Sequence, residues 1–113
     1  MNDSKYLLKH TVPEVAEYLT LRKACGLSLR GTAASKIGLS NSLFAVTVRR
    51  TSDQTLFGMG RLIGDRGTAY QILDIAVLPE DQGNGLAKSI MSAIMNHIPV
   101  SYTHLTLPTT PYV

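Results

Sequence analysis

Residues 68–98, TAYQILDIAVLPEDQGNGLAKSIMSAIMNHI, run from a β-branched apolar stretch through a glycine-bearing turn into an apolar stripe of period four, and few folds accept that order. Residues 68–78 become apolar on both faces towards their end, the pattern of a strand covered on two sides. Leu86, Ile90, Ile94 and Ile98 then recur every fourth residue, with Ala87, Met91 and Met95 beside them. Lys88, Ser92 and Asn96 fill the opposite stripe, so the spacing predicts an amphipathic helix lying on a sheet.

Upstream, residues 5–9 suit a short first strand. Thr11, Pro13 and Glu14 read as a helix start, with Thr11 as N-cap and Glu14 closing a capping box. Val15, Ala16, Leu19 and Ala24 give a rough helical stripe, and Gly26 marks a stop. Residues 31–38, rich in small side chains, suit a second short helix ending near Gly38. Residues 42–50 read as a strand with Phe44, Val46 and Val48 on one face, followed by a turn at 51–54. Residues 55–64 form its antiparallel partner, and Asp65-Arg66-Gly67 turns the chain into residues 68–78. The order is strand, one or two helices, a three-strand meander and a helix, with no internal repeat.

A chain of 113 residues suits one domain. Hydrophobic residues at 44% and charged residues at 17% describe a globular protein with a core rather than a disordered one. No apolar run approaches the roughly 20 residues that span a bilayer, and the start MNDSKYLLKH has no signal-peptide pattern. A cytoplasmic protein with no membrane partner is the expectation. Cys25 is the single cysteine, which excludes an internal disulfide and a cysteine-built metal site. The net charge of +3 is mild, and the Arg49-Arg50 pair reads as a solvated strand end, so no nucleic-acid partner is expected.

The turn carries the chemistry. A helix start offers unpaired N–H groups and partial positive charge, which suit phosphate, and glycines let the backbone approach an anion at positive φ. Its spacing separates the known phosphate loops. A Walker A loop requires glycine where Ala87 and Gln82 stand, and a dinucleotide fingerprint requires a third glycine where Lys88 stands. The pattern that fits is Gln-x-x-Gly-x-Ala preceded by Ile-Ala-Val-x-Pro: Ile75, Ala76, Val77, Pro79, Gln82, Gly85 and Ala87. This resembles the acetyl-CoA-binding motif of the GNAT N-acetyltransferase superfamily, and the resemblance covers roughly residues 3–98.

The resemblance implies an α+β, three-layer domain over residues 1–98: the N-terminal part of the acyl-CoA N-acyltransferase fold, with a mixed, mostly antiparallel sheet and flanking helices. It implies that backbone N–H groups of Gln82, Gly83, Asn84, Gly85, Leu86 and Ala87, with Lys88 nearby, cradle the CoA diphosphate. The main chain of Ile75, Ala76 and Val77 would pair with the pantetheine arm as a pseudo-strand. It further implies transfer of an acetyl group from acetyl-CoA, a co-substrate, to a primary amine by direct attack in a ternary complex. No metal is required, and a homodimer is compatible with the resemblance. The tetrahedral oxyanion would be held by a backbone N–H of the fourth strand.

Asp74, just before the cofactor-binding run, is the carboxylate placed to act as base or to orient a water. The alternative is a buried acid that caps a strand bulge or pairs with Arg61 across the hairpin. Cys25 reads as a small packed residue, and His97 suits a helix C-terminus without a chemical role. Residues 24–30 resemble the family's acceptor-binding helix pair but name no acceptor. Two other functions stand beside the transferase: a non-catalytic CoA-binding or regulatory module, and a nucleotide-binding protein using the same turn for ATP or NAD, against which the glycine spacing argues.

The family's fold continues with a fifth strand that diverges from the fourth, and with a tyrosine-bearing helix whose hydroxyl commonly protonates the departing thiolate. Here the last residues are instead PVSYTHLTLPTTPYV, three prolines with no charge. Val100 to Thr109 resembles, residue for residue, a translated transposon-type sequencing adaptor. The expectation is therefore a domain incomplete at its C-terminal end and a non-native tail over residues 99–113, with little turnover and an apolar edge on the fourth strand. Tyr102 and Leu105 alternate too loosely to predict a strand there.

Overall fold

The computed structural model describes residues 5–98 and 105–106. Elements follow in the order β1 (Tyr6–Lys9), α1 (Val15–Ala24), α2 (Thr32–Ser40), β2 (Phe44–Arg50), β3 (Leu56–Gly64), β4 (Tyr70–Val77), α3 (Leu86–Met95) and β5 (Leu105–Thr106), with a 3₁₀ turn at Pro79–Asp81 between β4 and α3. The sheet is ordered β1-β2-β3-β4-β5; its first four strands are antiparallel and β5 is parallel to β4. This is the mixed α+β, three-layer architecture, with α3 on one side of the sheet and α1 and α2 on the other.

On the α3 side the core is mainly aliphatic, with Phe57 and Tyr70 also buried in it. Val46, Val48, Leu62, Ile72, Ile75 and Val77 from the sheet meet Leu86, Ala87, Ile90 and Ile94 from the helix. Gly60 sets the distance of approach: a Cβ there would lie 2.6 Å from Ile90 Cγ2, 2.7 Å from Ile75 Cδ1 and 2.9 Å from Ile94 Cδ1. The fourfold apolar spacing therefore does what it predicts, except that Met95, at the end of the stripe, is exposed.

On the other side Tyr18, Leu21, Leu39, Leu56, Met59 and Ala76 form a second core. Helix α1 is capped by Glu14, not Thr11: the Glu14 N–H donates to the Glu17 carboxylate at 2.9 Å in a capping box one helical turn later than expected. The Thr11 hydroxyl is instead bonded to the Thr47 hydroxyl at 2.6 Å, which removes it from the helix end. The buried face of α1 is Tyr18, Leu21 and Arg22, while Ala16 and Ala24 are exposed. The apolar stripe misled because an arginine is among the residues turned inward. The stop at Gly26 holds: Leu27 N–H donates to Arg22 O and Gly26 N–H to Lys23 O, the paired bonds of a Schellman end. Helix α2 runs two residues beyond Gly38, to Ser40.

At the C-terminal end, Leu105 and Thr106 pair in parallel with Tyr70 and Gln71, so a two-residue strand stands where none was predicted. The remainder of the adaptor-like run, residues 99–104 and 107–113, lies outside the described residues. Among the described residues no strand flanks 72–77 on that side of β4.

Candidate functional site

Strand β4 is interrupted at the point where it approaches the turn. Met59 opposes Ala76 and Arg61 opposes Leu73, so two residues, Asp74 and Ile75, stand opposite Gly60 alone. This is a β-bulge, and Asp74 adopts φ +58, a left-handed conformation that aspartate tolerates better than most side chains. The bulge turns the Asp74 carboxylate to the α1–α2 side of the sheet, where it accepts from the Arg22 guanidinium, from Arg61 Nε at 2.9 Å and from the Tyr18 hydroxyl at 2.7 Å. Only 2% of its side chain is exposed. Arg22 also donates to Ser28 O at 2.7 Å, and Arg61 to Gly38 O at 2.9 Å and Ser42 Oγ at 3.0 Å. One carboxylate thus ties α1, the loop after it, α2 and β3 together. Burial, and then the hydrogen bond to Asp74, raise the pKa of the Tyr18 phenol above its usual value.

The expectation for Asp74 is a base or a group that orients a water. A general base must turn an oxygen towards the proton it takes. Here both oxygens are committed to internal donors, and the arrangement is the ion pair with Arg61, on a bulge, that the sequence left as the alternative. Arg22 and Tyr18 were not foreseen as its partners, because nothing in their spacing along α1 separates a buried polar face from a solvated one.

Beyond β4, the chain enters the 3₁₀ turn at Pro79–Asp81 and then bends through Gly83 at φ +87 and Gly85 at φ +84 into α3. Gly85 is the N-cap, and no side chain caps the helix. Among the described residues no acceptor takes the backbone N–H of Gly83, Asn84, Gly85, Leu86, Ala87 or Lys88, and the first turn closes only with Ser89 N–H on Gly85 O at 3.1 Å. These groups gather at the positive end of the α3 dipole. All of these residues except Asn84 line a cavity of about 450 Å³, together with Val77 and Gln82. Asp81 also faces this cavity, but its carboxylate accepts from Arg50 at 2.7 Å, which offsets its negative charge at a place suited to an anion.

Gln82 behaves differently from its neighbours. Its backbone N–H closes the 3₁₀ turn on Pro79 O at 3.4 Å, and its side-chain amide donates to Val77 O at 2.9 Å. It therefore organises the turn instead of offering its own N–H to the cavity. Ala76 faces β3 in the ladder, whereas Val77 stands in a non-hydrogen-bonded pair with Gly58, because Leu78 N–H donates to Phe57 O one residue later. Of the three residues expected to pair with pantetheine, Ile75 and Val77 direct main-chain groups to the free side of β4 and Ala76 does not. Cys25, half-buried, donates its thiol to Val77 O at 3.3 Å, and burial pushes its pKa up. His97 stacks on Phe44 with ring centres 3.5 Å apart, and His10 meets both rings edge-on, away from the turn in sequence and in contacts. Among the described residues no group of three His, Cys, Asp or Glu is placed to hold a metal ion, and no helix is long and apolar enough to cross a membrane.

Solved structures show the same architecture. A probable acetyltransferase from meticillin-resistant Staphylococcus aureus is 36% identical, with a TM-score of 0.85 over 95% of this chain and 80% of that one. A GNAT-family acetyltransferase from Streptococcus pneumoniae, 21% identical, superposes with a TM-score of 0.75 over 96% of this chain and 77% of that one. N-acetylglutamate synthase from Neisseria gonorrhoeae, solved with coenzyme A and N-acetyl-glutamate, shares the fold at 16% identity and a TM-score of 0.66, over 94% of this chain and 26% of that one. No protein-family profile and no curated protein matches the chain.

Proposed function

The chain belongs to the GNAT family of acetyltransferases, and from that premise we propose that residues 83–88 seat the diphosphate of acetyl-CoA for acetyl transfer to a primary amine of a small molecule or protein. The single observation that carries this reading is the run of six consecutive backbone N–H groups, Gly83 to Lys88, without an acceptor among the described residues, at the start of α3 and beside a cavity. A diphosphate presents several acceptor oxygens and formal negative charge. A row of N–H donors on a helix dipole, with the Lys88 ammonium nearby, matches both. The thioester arm would run along the free side of β4, towards the bulge at Asp74.

In the reaction the ammonium first loses a proton to solvent, the amine nitrogen attacks the thioester carbonyl, the C–N bond forms and the C–S bond breaks, and the second proton shed by the nitrogen passes through water to the departing thiolate. Strand β4 would supply a backbone N–H to the oxyanion. We assign Asp74 to position β4 and α1 and not to take the proton, since its oxygens are already engaged. That same observation favours a second reading, a CoA-binding module without turnover.

Calorimetric titration with acetyl-CoA, ATP and NAD, followed by thiol release over a panel of amines, tests both readings. Binding of acetyl-CoA alone, with amine-dependent thiol release, is expected of the transferase. Binding without release for any amine selects the module, and absence of acetyl-CoA binding overturns the cofactor assignment.

A further inference from the structure

The carbonyl of Val77 is the last outward-facing acceptor of β4, and two donors converge on it. Gln82 Nε2 reaches it from the turn at 2.9 Å, and Cys25 Sγ reaches it from the end of α1 at 3.3 Å. A carbonyl oxygen has two lone pairs, so this acceptor is fully used. Its direction follows from the ladder. Leu78 N–H points at Phe57 O in β3, and the Val77 carbonyl shares that trans peptide plane, so it points to the opposite side. On that free side an extended ligand arm would otherwise find Ile75 C=O, Val77 N–H and Val77 C=O in succession.

We propose that the Gln82 side chain is a positioning residue of the cofactor turn: by holding Val77 O it fixes where β4 stops and where the row of N–H groups from Gly83 to Lys88 begins, without touching the ligand. This rests on the reading of that turn as the CoA seat and deepens it. Gln82 is exposed, its amide spans from the end of the 3₁₀ turn back to the strand, and the two positive-φ glycines follow directly. A segment with two left-handed glycines has little local preference for one path, so a tether at its entry decides whether its N–H groups converge. The same bond removes Val77 O from the ligand's pairing set, which leaves Ile75 C=O and Val77 N–H as the main-chain partners for an extended arm.

The experiment compares the 113-residue chain with Q82L, which has no donor, and Q82R, which keeps an N–H of similar reach. Two quantities are read: the Kd of coenzyme A by calorimetry, and the Val77 carbonyl carbon shift in the unliganded protein. Losing one hydrogen bond at the entry is expected to raise Kd about tenfold in Q82L and to move the Val77 resonance upfield. Q82R should restore both, with Kd within about twofold of the parent. A role in overall stability alone would lower the melting temperature of Q82L without a selective Val77 shift, and would overturn the proposal. A changed Kd with an unmoved Val77 resonance makes Gln82 a direct ligand contact, and no change in either quantity removes its role; both outcomes also overturn it. If the parent chain fails to bind coenzyme A, the cofactor assignment falls, and the carbonyl shift still decides whether the tether exists.

Discussion

The two faces of the sheet are held by different physics. Under α3 the contact is apolar and close, with Ile90 and Ile94 seated over Gly60. Under α1 and α2 the contact is organised around a buried carboxylate with two guanidiniums and a phenol. The first face gains from removing apolar area from water and tolerates small shifts. The second places charges inside the protein, where their attraction only offsets the loss of hydration if every partner stays in place. The apolar face therefore serves as the platform for the turn, while the charged face fixes α1 and α2 against the bulge with little room for change.

Removing a partner from the charged face should have the largest effect. Asp74→Asn leaves Arg22 and Arg61 buried without a counter-charge, and a loss of about 3–5 kcal/mol in urea unfolding is expected. A loss under about 1 kcal/mol would mean that water reaches the cluster and that the contrast between the faces is false. On the apolar face, Gly60→Ala pushes a methyl into Ile75, Ile90 and Ile94, and about 1–3 kcal/mol is expected from overpacking. Gly85→Ala tests the turn between the faces. A Cβ at φ +84 costs about 1–2 kcal/mol, and coenzyme A should bind more weakly because the first N–H groups of α3 are displaced.

The smallest effect concerns the rim. The hydrogen bonds from Arg49 hold the Glu17 carboxyl below its usual pKa of 4.5. A carboxyl lowered in the folded state adds stability that is complete above its unfolded value and is lost as pH falls through the folded one. Melting curves between pH 5 and pH 2 should therefore fall less steeply for Glu17→Gln than for the parent. The difference should stay below about 1 kcal/mol, because the pair is partly solvated.

The same contrast explains what could be read from the residues alone. The α3 face was legible because burial there follows hydrophobicity: Leu86, Ile90 and Ile94 sit on one stripe and all three are buried. The order of the meander was legible for the same reason, and the turn stood out through Gln82, Gly83 and Gly85. The α1 face was not, because Arg22 and Tyr18 are buried by a partner 52 and 56 residues away, which no local period records. The shift of the N-cap from Thr11 to Glu14 has a similar cause, since Thr11 answers to Thr47 across the sheet. Strand β5 was missed because two residues carry no period at all. The inward role of the Gln82 side chain was hidden too: an amide beside two glycines gives no sign of whether it points to a ligand or back to its own strand.

The cofactor site of this protein is the row of N–H groups at the entrance to α3 only if they seat a diphosphate. Titrating ¹⁵N-labelled protein with coenzyme A and following the backbone amides tests this directly. Large, saturating shifts confined to Gly83 through Lys88, together with Val77 on the adjoining strand, are predicted. Saturable binding that moves amides elsewhere and leaves Gly83 through Lys88 in place would contradict it.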